Sequence, residues 1–117
     1  MDGSMVPEQL FHALSDGTRL RALALLHAEG ELCVCELTHA LELAQPKVSR
    51  HLALLRDTGV VSDRRSARWV YYRLAPELPA WARAAIGAAA QGTAAQLLED
   101  RERLATMPGR PEVGRCA

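Results

Sequence analysis

The sequence predicts a mainly α chain with a small β-hairpin: a winged helix-turn-helix that dimerises through its terminal helices. Three observations carry that expectation. Apolar residues recur at helical spacing in successive segments up to Asp57, two β-branched and aromatic runs follow, and a long alanine-rich helix comes after them. The 117 residues suit one domain, small enough for oligomerisation to help it. Residues 1–107 are read as the DNA-binding and dimerisation domain, and residues 108–117, rich in proline and glycine, as a flexible tail.

The elements follow in order. Leu10, Phe11 and Leu14 recur at helical spacing after Pro7 and mark a short first helix. Ser15-Asp16-Gly17-Thr18 breaks it and caps the second, whose apolar face is Leu20, Leu23, Leu25 and Leu26. Gly30 ends that helix. A third helix from Cys35 to Leu43 turns Leu37, Ala40 and Leu41 inward. Ala44-Gln45-Pro46 is the turn, because proline suits the first turn of a helix, where its missing N–H would have no partner. The fourth helix runs to about Asp57 with Val48, Leu52 and Leu55 on one side, and Lys47, Ser49, Arg50 and His51 near its start. A helix, a tight turn and a helix basic at its start is how a recognition helix enters the major groove.

Thr58-Gly59 closes the fourth helix. Val60 to Asp63 and Trp69 to Leu74 then read as a β-hairpin with Arg64, Arg65 and Arg68 at or beside its tip, placed for a phosphate backbone or a minor groove. Charge agrees. Formal net charge is zero, yet residues 45–74 hold seven basic residues against two acidic, while residues 1–44 hold two against seven. A local basic block in a neutral chain is a footprint for a polyanion, double-stranded DNA here. Pro76 and Pro79 precede the alanine-rich helix, from about Ala80 to Leu104, in which Gly87 and Gly92 weaken the run and allow a break near Gly92. Its small residues permit close approach of another helix. It is read as a dimerisation helix packed with the first, with an intramolecular cover as the alternative.

Cys33 and Cys35 lie just ahead of the helical pair. The third cysteine is Cys116; an odd count argues against a disulfide framework and for free thiols in a reducing, cytoplasmic setting. No apolar run approaches the length of a membrane span, and the start, Met1-Asp2-Gly3-Ser4, lacks the pattern of a signal peptide. Paired thiolates suit soft, thiophilic ions. Cys33 falls near a helix N-cap with Glu36 three residues on, as in a capping box, so the helix N-terminus favours thiolate while Glu31 and Glu36 oppose it. Residues two apart in a regular helix diverge by about 200°. One ion bridging both sulfurs is therefore expected to unwind or re-aim the third helix.

Rival functions weaken on the same residues. Zinc wants four ligands, and His39 is the only local candidate to join the cysteines. A redox switch would need a strained disulfide between residues two apart. An enzyme would leave the basic hairpin unexplained, and the chain shows neither a nucleotide-binding glycine loop nor a resolving-cysteine motif. A DNA binder that senses nothing predicts that both cysteines are dispensable.

From about Leu14 to Trp81 the chain resembles the ArsR family of winged-helix repressors. Glu31 to Leu37, Gln45 to Leu52 and Arg68 to Leu74 are especially similar to the arsenic-responsive members. The resemblance implies a homodimer on an inverted repeat in the promoter of a resistance operon. It implies release when trivalent arsenic or antimony binds the cysteines, with no organic cofactor. It also places Gln45, Lys47, Ser49, Arg50 and His51 on the DNA side and makes the hairpin the wing. The alternatives are a thiol-based redox regulator or one responsive to zinc or cadmium. This chain departs from the pattern in three places. Thr38 stands where the arsenic repressors carry a third cysteine, Gly17 where the family often has proline, and the hairpin tip Ser66-Ala67 has no glycine. The missing sulfur leaves three readings open: two thiolates with an exogenous ligand, Cys116 as the third ligand, or a metalloid already carrying an organic group.

Overall fold

The computed structural model describes residues 5–111. The order is α1 (Pro7–Leu14), α2 (Gly17–Glu29), β1 (Glu31–Cys33), α3 (Val34–Leu41), α4 (Gln45–Asp57), β2 (Val61–Ser66), β3 (Trp69–Leu74), α5 (Ala80–Gly92) and α6 (Ala94–Ala105). The strands form one antiparallel sheet in the order β1-β3-β2. This is a winged helix-turn-helix, as the residue pattern predicts.

Local chemistry explains the boundaries. Asp16 caps α2, its carboxylate accepting from the N–H groups of Thr18 and Arg19 at 2.9 and 3.1 Å. Gly30, at φ 93°, lets α2 end and the chain turn into β1. The α4 helix ends in a Schellman motif: Gly59 adopts φ 84°, the Val60 N–H reaches the Leu55 carbonyl at 2.9 Å, and the Gly59 N–H reaches Arg56 at 3.0 Å. The buried faces of α1 to α4 meet in one core that includes Leu10, Leu23, Leu26, Leu37, Leu41, Val48, Leu52 and Leu55. Ile86 of α5 and Leu104 of α6 close it.

Two details differ from the sequence expectation, and a third follows the break it allowed near Gly92. Phe11 does not face inward: Leu10 and Ala13 take the buried positions of α1, and Phe11 is 57% exposed. The stretch from Glu31 to Cys33 is a strand pairing with β3, so the sheet has three strands rather than two, and α3 starts at Val34 and stops at Leu41. The alanine-rich region is two helices broken at Thr93, one residue past the glycine that weakens it. The break turns α6 back across the molecule, where it packs on α3 and α2.

Asp100 explains why α6 holds there. Its carboxylate is fully buried and accepts from Arg21 Nε and Nη2 at 3.1 and 2.8 Å, Arg103 Nη2 at 2.7 Å and Gln96 Nε2 at 3.0 Å. Arg103 also donates to the Ala40 carbonyl of α3 at 2.8 Å. Burial of a charge is tolerated when its hydrogen-bonding capacity is filled in this way.

Candidate thiol site and nucleic-acid interface

Cys33 ends β1 and is also the N-cap of α3, with extended backbone at φ −81° and ψ 165°. Cys35 lies in the first turn of α3. Their sulfurs are 2.7 Å apart. The expected divergence of about 200° is thus corrected, because the rule of 100° per residue holds only where both residues are helical. The extended cap swings the Cys33 side chain toward Cys35. The two sulfurs therefore lie side by side with α3 regular, so the divergence of helical residues gives no reason for α3 to unwind.

The cap is held from the other side by Glu36. Its Oε1 accepts the Cys33 N–H at 2.8 Å, completing the capping box that the sequence suggests. Its Oε2 accepts from Arg110 Nε at 2.6 Å, and Arg110 also lies 3.8 Å from Glu29. The chain beyond α6 is thereby tied to the thiol corner. Cys33 is completely buried and Cys35 half-buried. Burial pushes the Cys33 thiol far above its ordinary range, and the Cys35 contact and the charge of Glu36 push the same way, against the lowering effect of the Glu36 backbone N–H. The expectation that the helix N-terminus favours thiolate is corrected for Cys33, where desolvation dominates.

A small shell surrounds the pair. Tyr71 is the cross-strand partner of Cys33, and with Trp69 and Cys35 it forms a cluster separate from the main core. Two hydroxyls, Thr38 Oγ1 and Tyr71 Oη, are buried without a hydrogen-bond partner among the described residues. Also among those residues, no group of three or more His, Cys, Asp or Glu side chains could hold a metal ion. Cys116 lies outside the described residues.

The polar residues of α4 divide. Gln45, Lys47 and Arg50 are exposed and Ser49 is half-buried. His51 turns inward: Nδ1 lies 3.3 Å from Arg19 Nη1, and Nε2 lies 3.9 Å from Asp16 Oδ2. Arg19 is itself anchored on the carbonyls of His12 and Ala13. Its backbone N–H bond is the chief reason the Asp16 carboxyl stays below its ordinary value, with the charges of His51 and Arg19 adding to that.

The wing arginines divide too. Arg65 and Arg68 are exposed, Arg68 stacking on Trp69 at 5.1 Å. Arg64 is exposed as well, but makes a two-pronged pair with Glu31 of β1 at 2.9 and 2.8 Å and lies 4.7 Å over the Tyr71 ring. That pairing lowers the Glu31 carboxyl. A groove of about 820 Å³ joins the two regions. Cys35, Thr38, Trp69 and Met107 line it together with Gln45, Ser49, Arg65 and Arg68.

Sequence reasoning missed Tyr71, Trp69 and Arg110 as neighbours of the thiol corner. The first two depend on β1 pairing with β3, and three residues carry too little periodicity to declare a strand. Arg110 depends on where α6 packs after the turn at Thr93, and Gly92 signals the break but not its direction.

Comparisons with known proteins agree with this architecture. Residues 16–63 match the family described as "Bacterial regulatory protein, arsR family". The arsenic resistance transcriptional regulator ArsR1 of Pseudomonas putida is 52% identical over 108 residues, covering 92% of this chain and 84% of its own. Among solved structures, HlyU from Vibrio cholerae superposes with a TM-score of 0.66 at 34% identity, over 74% of this chain and 90% of its own. The AntR antimony-specific transcriptional repressor superposes with a TM-score of 0.59 at 28% identity, over 80% and 77%.

Proposed function

Because this chain belongs to the arsR family of bacterial regulatory proteins, we propose that it is a repressor that holds operator DNA as a homodimer and releases it when trivalent arsenic or antimony binds Cys33 and Cys35. The observation that carries this reading is the convergence of two sulfurs at 2.7 Å, one buried and one half-buried, beside the helix-turn-helix. Soft thiolate donors match soft metalloids. The names of its relatives, an arsenic resistance regulator and an antimony-specific repressor, point the same way.

The chemistry suits a trivalent hydroxide better than a divalent cation. Arsenic trihydroxide exchanges hydroxide for sulfur, and each thiol proton leaves with the departing hydroxide as water. A divalent cation would lack the four ligands of a structural zinc site, since no group of three or more His, Cys, Asp or Glu side chains that could hold a metal ion gathers among the described residues. Cys116, outside the described residues, is the alternative source of a third ligand.

On the DNA side, Gln45, Lys47, Ser49 and Arg50 enter the major groove, and Arg65 and Arg68 meet the phosphate backbone. His51 and Arg64 hold α4 and the wing in place from behind. Homodimerisation uses the apolar surface shared by α1, α2 and α5, where Phe11, Leu14, Leu20, Ala85 and Ala89 gather. Such a regulator works in the cytoplasm, where the DNA is. Signal and readout are close: the groove beside Cys35 is also lined by Gln45, Arg65 and Arg68.

Fluorescence anisotropy of the reduced protein on DNA from upstream of its own gene tests the reading. Arsenite is expected to release the DNA, and Cys33→Ser to abolish release while leaving binding intact. Retained release in Cys33→Ser overturns the thiol assignment. The close approach of the sulfurs also favours a second reading, thiol oxidation. Release by peroxide with no arsenic present, reversed by reductant, would select it, and release by cadmium or zinc alone would select a divalent sensor.

A further inference from the structure

The two hydroxyls left without partners mark what the thiol pair is built to hold. Two thiols satisfy two of the three valences of trivalent arsenic or antimony. The third must carry something, and the surroundings say what suits it. Thr38 lies one helical turn beyond Cys35, three positions along α3, so the two side chains are neighbours on one face. Both line the groove beside the wing. Tyr71, only 3% exposed, lies across from Cys33 in the β1–β3 register and packs against it. Thr38 Oγ1 and Tyr71 Oη are the buried side-chain oxygens that find no hydrogen-bond partner among the described residues, and they belong to residues that neighbour Cys35 along α3 and Cys33 across the sheet. A buried hydroxyl without a partner is costly, and native proteins rarely keep one without a bound group to meet it.

Resting on the function proposed above, we propose that Thr38 and Tyr71 form a hydroxide receptor: the inducer is an inorganic trivalent oxyacid of arsenic or antimony, held by Cys33 and Cys35 through sulfur and by these two hydroxyls through its remaining oxygen. The step balances without an oxidant. Arsenic trihydroxide and two thiols give one dithiolate arsenic hydroxide and two waters. Two As–O and two S–H bonds break, two As–S bonds and two O–H bonds of water form, and arsenic stays trivalent. The residual hydroxide both donates and accepts, so either side-chain hydroxyl can meet it. A carbon substituent in that position would do neither, and would bury both hydroxyls still unsatisfied. Of the three readings that the missing sulfur leaves open, this selects two thiolates with an exogenous ligand over a metalloid already carrying an organic group. Thr38 is therefore not merely a lost cysteine; it supplies a specificity-determining oxygen.

The test uses the full-length reduced protein and two probes, arsenite and phenylarsine oxide, whose third valence is carbon. Dissociation constants are measured for wild type, Thr38→Val, Tyr71→Phe and the double variant. X-ray absorption at the arsenic edge counts sulfur and oxygen neighbours. The double variant is expected to lose about tenfold in arsenite affinity, the worth of one or two net hydrogen bonds. Its affinity for phenylarsine oxide is expected to hold within about twofold, since no hydrogen bond is lost. Wild type is expected to show two sulfurs and one oxygen around arsenic. Thr38→Val is also expected to raise the melting temperature of the free protein, because it removes an unsatisfied buried hydroxyl while nearly preserving volume. Equal losses for both probes, unchanged arsenite affinity, or three sulfurs in wild type would each overturn the receptor. Cys33→Ser separates the two layers: if arsenite still binds it as tightly as wild type, the thiol site itself fails, whereas failure of the hydroxyl variants alone leaves that site standing.

Discussion

Asp100 of α6 and the Thr38–Tyr71 pair beside the thiols are polar groups buried within the same small domain, and they are treated oppositely. Asp100 accepts four hydrogen bonds from three side chains, and Arg103 carries the network on to the backbone of α3. Thr38 and Tyr71 have no partner for their hydroxyls among the described residues. The first arrangement fixes where α6 lies. The second leaves capacity unfilled at the one place where two sulfurs also converge. A buried polar group that is fully met reads as architecture, and one that is unmet beside two converging sulfurs is the group on which the proposed receptor rests.

The sharpest way to break this comparison is at Asp100. Asp100→Leu removes the acceptor shared by Arg21 and Arg103 and is expected to destabilise the fold by about 3 kcal/mol, as measured by urea denaturation. Asp100→Asn keeps an acceptor and should recover part of the loss. Thr38→Val, on the other side, is expected to cost nothing in the free protein. If both sites proved equally costly to alter, unmet hydroxyls would carry no special meaning.

Glu36 stands between the two kinds of site. It is buried and satisfied, yet it touches the thiol corner through the Cys33 N–H. Glu36→Ala leaves that N–H and the Arg110 guanidinium without their acceptor, and is expected to cost about 2 kcal/mol. Hydrogen exchange should also show the first turn of α3 opening more often. Glu36→Gln keeps the bond to Cys33 and should separate the two contributions. Loss of stability without faster exchange at Val34–Leu37 would mean that Arg110, not the cap, is the part that matters.

Much of this was legible in the sequence. Asp16, Gly30, Pro46 and Gly59 act locally, and each punctuates the chain where its own chemistry requires. The capping box at Cys33 and Glu36 was legible for the same reason. Convergence of the sulfurs was not, because it depends on Cys33 being a strand end rather than a helical residue, and β1 exists only through its pairing with β3. His51 and Arg64 read as DNA-side residues from their place in basic runs, and what that reading could not supply is their contacts to Asp16, Arg19 and Glu31, distant in sequence. The Asp100 network joins α2 to α6 across 79 positions, and no local pattern reports such a contact.

Asp16 extends the comparison to a satisfied carboxylate that is partly exposed. Asp16→Ala is expected to cost about 1 kcal/mol near neutral pH, a modest figure because 38% of the side chain is exposed. The pH dependence has a definite sign. The folded-state value lies below the ordinary 3.8, so this stabilisation is present above about pH 4 and is lost as the pH falls through the lowered value. Melting curves of wild type and Asp16→Ala should converge in acid, and Asp16→Asn, which can still cap, should lie between them at neutral pH. A gap that persisted unchanged well below pH 3.8 would show that the charge contributes nothing.

The smallest expected effect lies at the wing tip, where the cost is in the backbone. Ala67 adopts φ 54° in the two-residue connection between Ser66 and Trp69, a conformation that a side chain resists and glycine does not. Ala67→Gly is expected to stabilise the protein by about 0.5 kcal/mol, the relief of strain being partly offset by the greater freedom of glycine in the unfolded chain. Like the unmet hydroxyls, this is a local cost that the sequence has kept. The two differ in what removal should do. Filling or deleting the hydroxyls changes what the protein binds, whereas Arg65 and Arg68 keep their side chains in Ala67→Gly. Anisotropy on operator DNA should therefore be unchanged while thermal stability rises slightly. Weaker DNA binding by Ala67→Gly would place the tip among the functional sites, its strain holding the arginines where the phosphates need them.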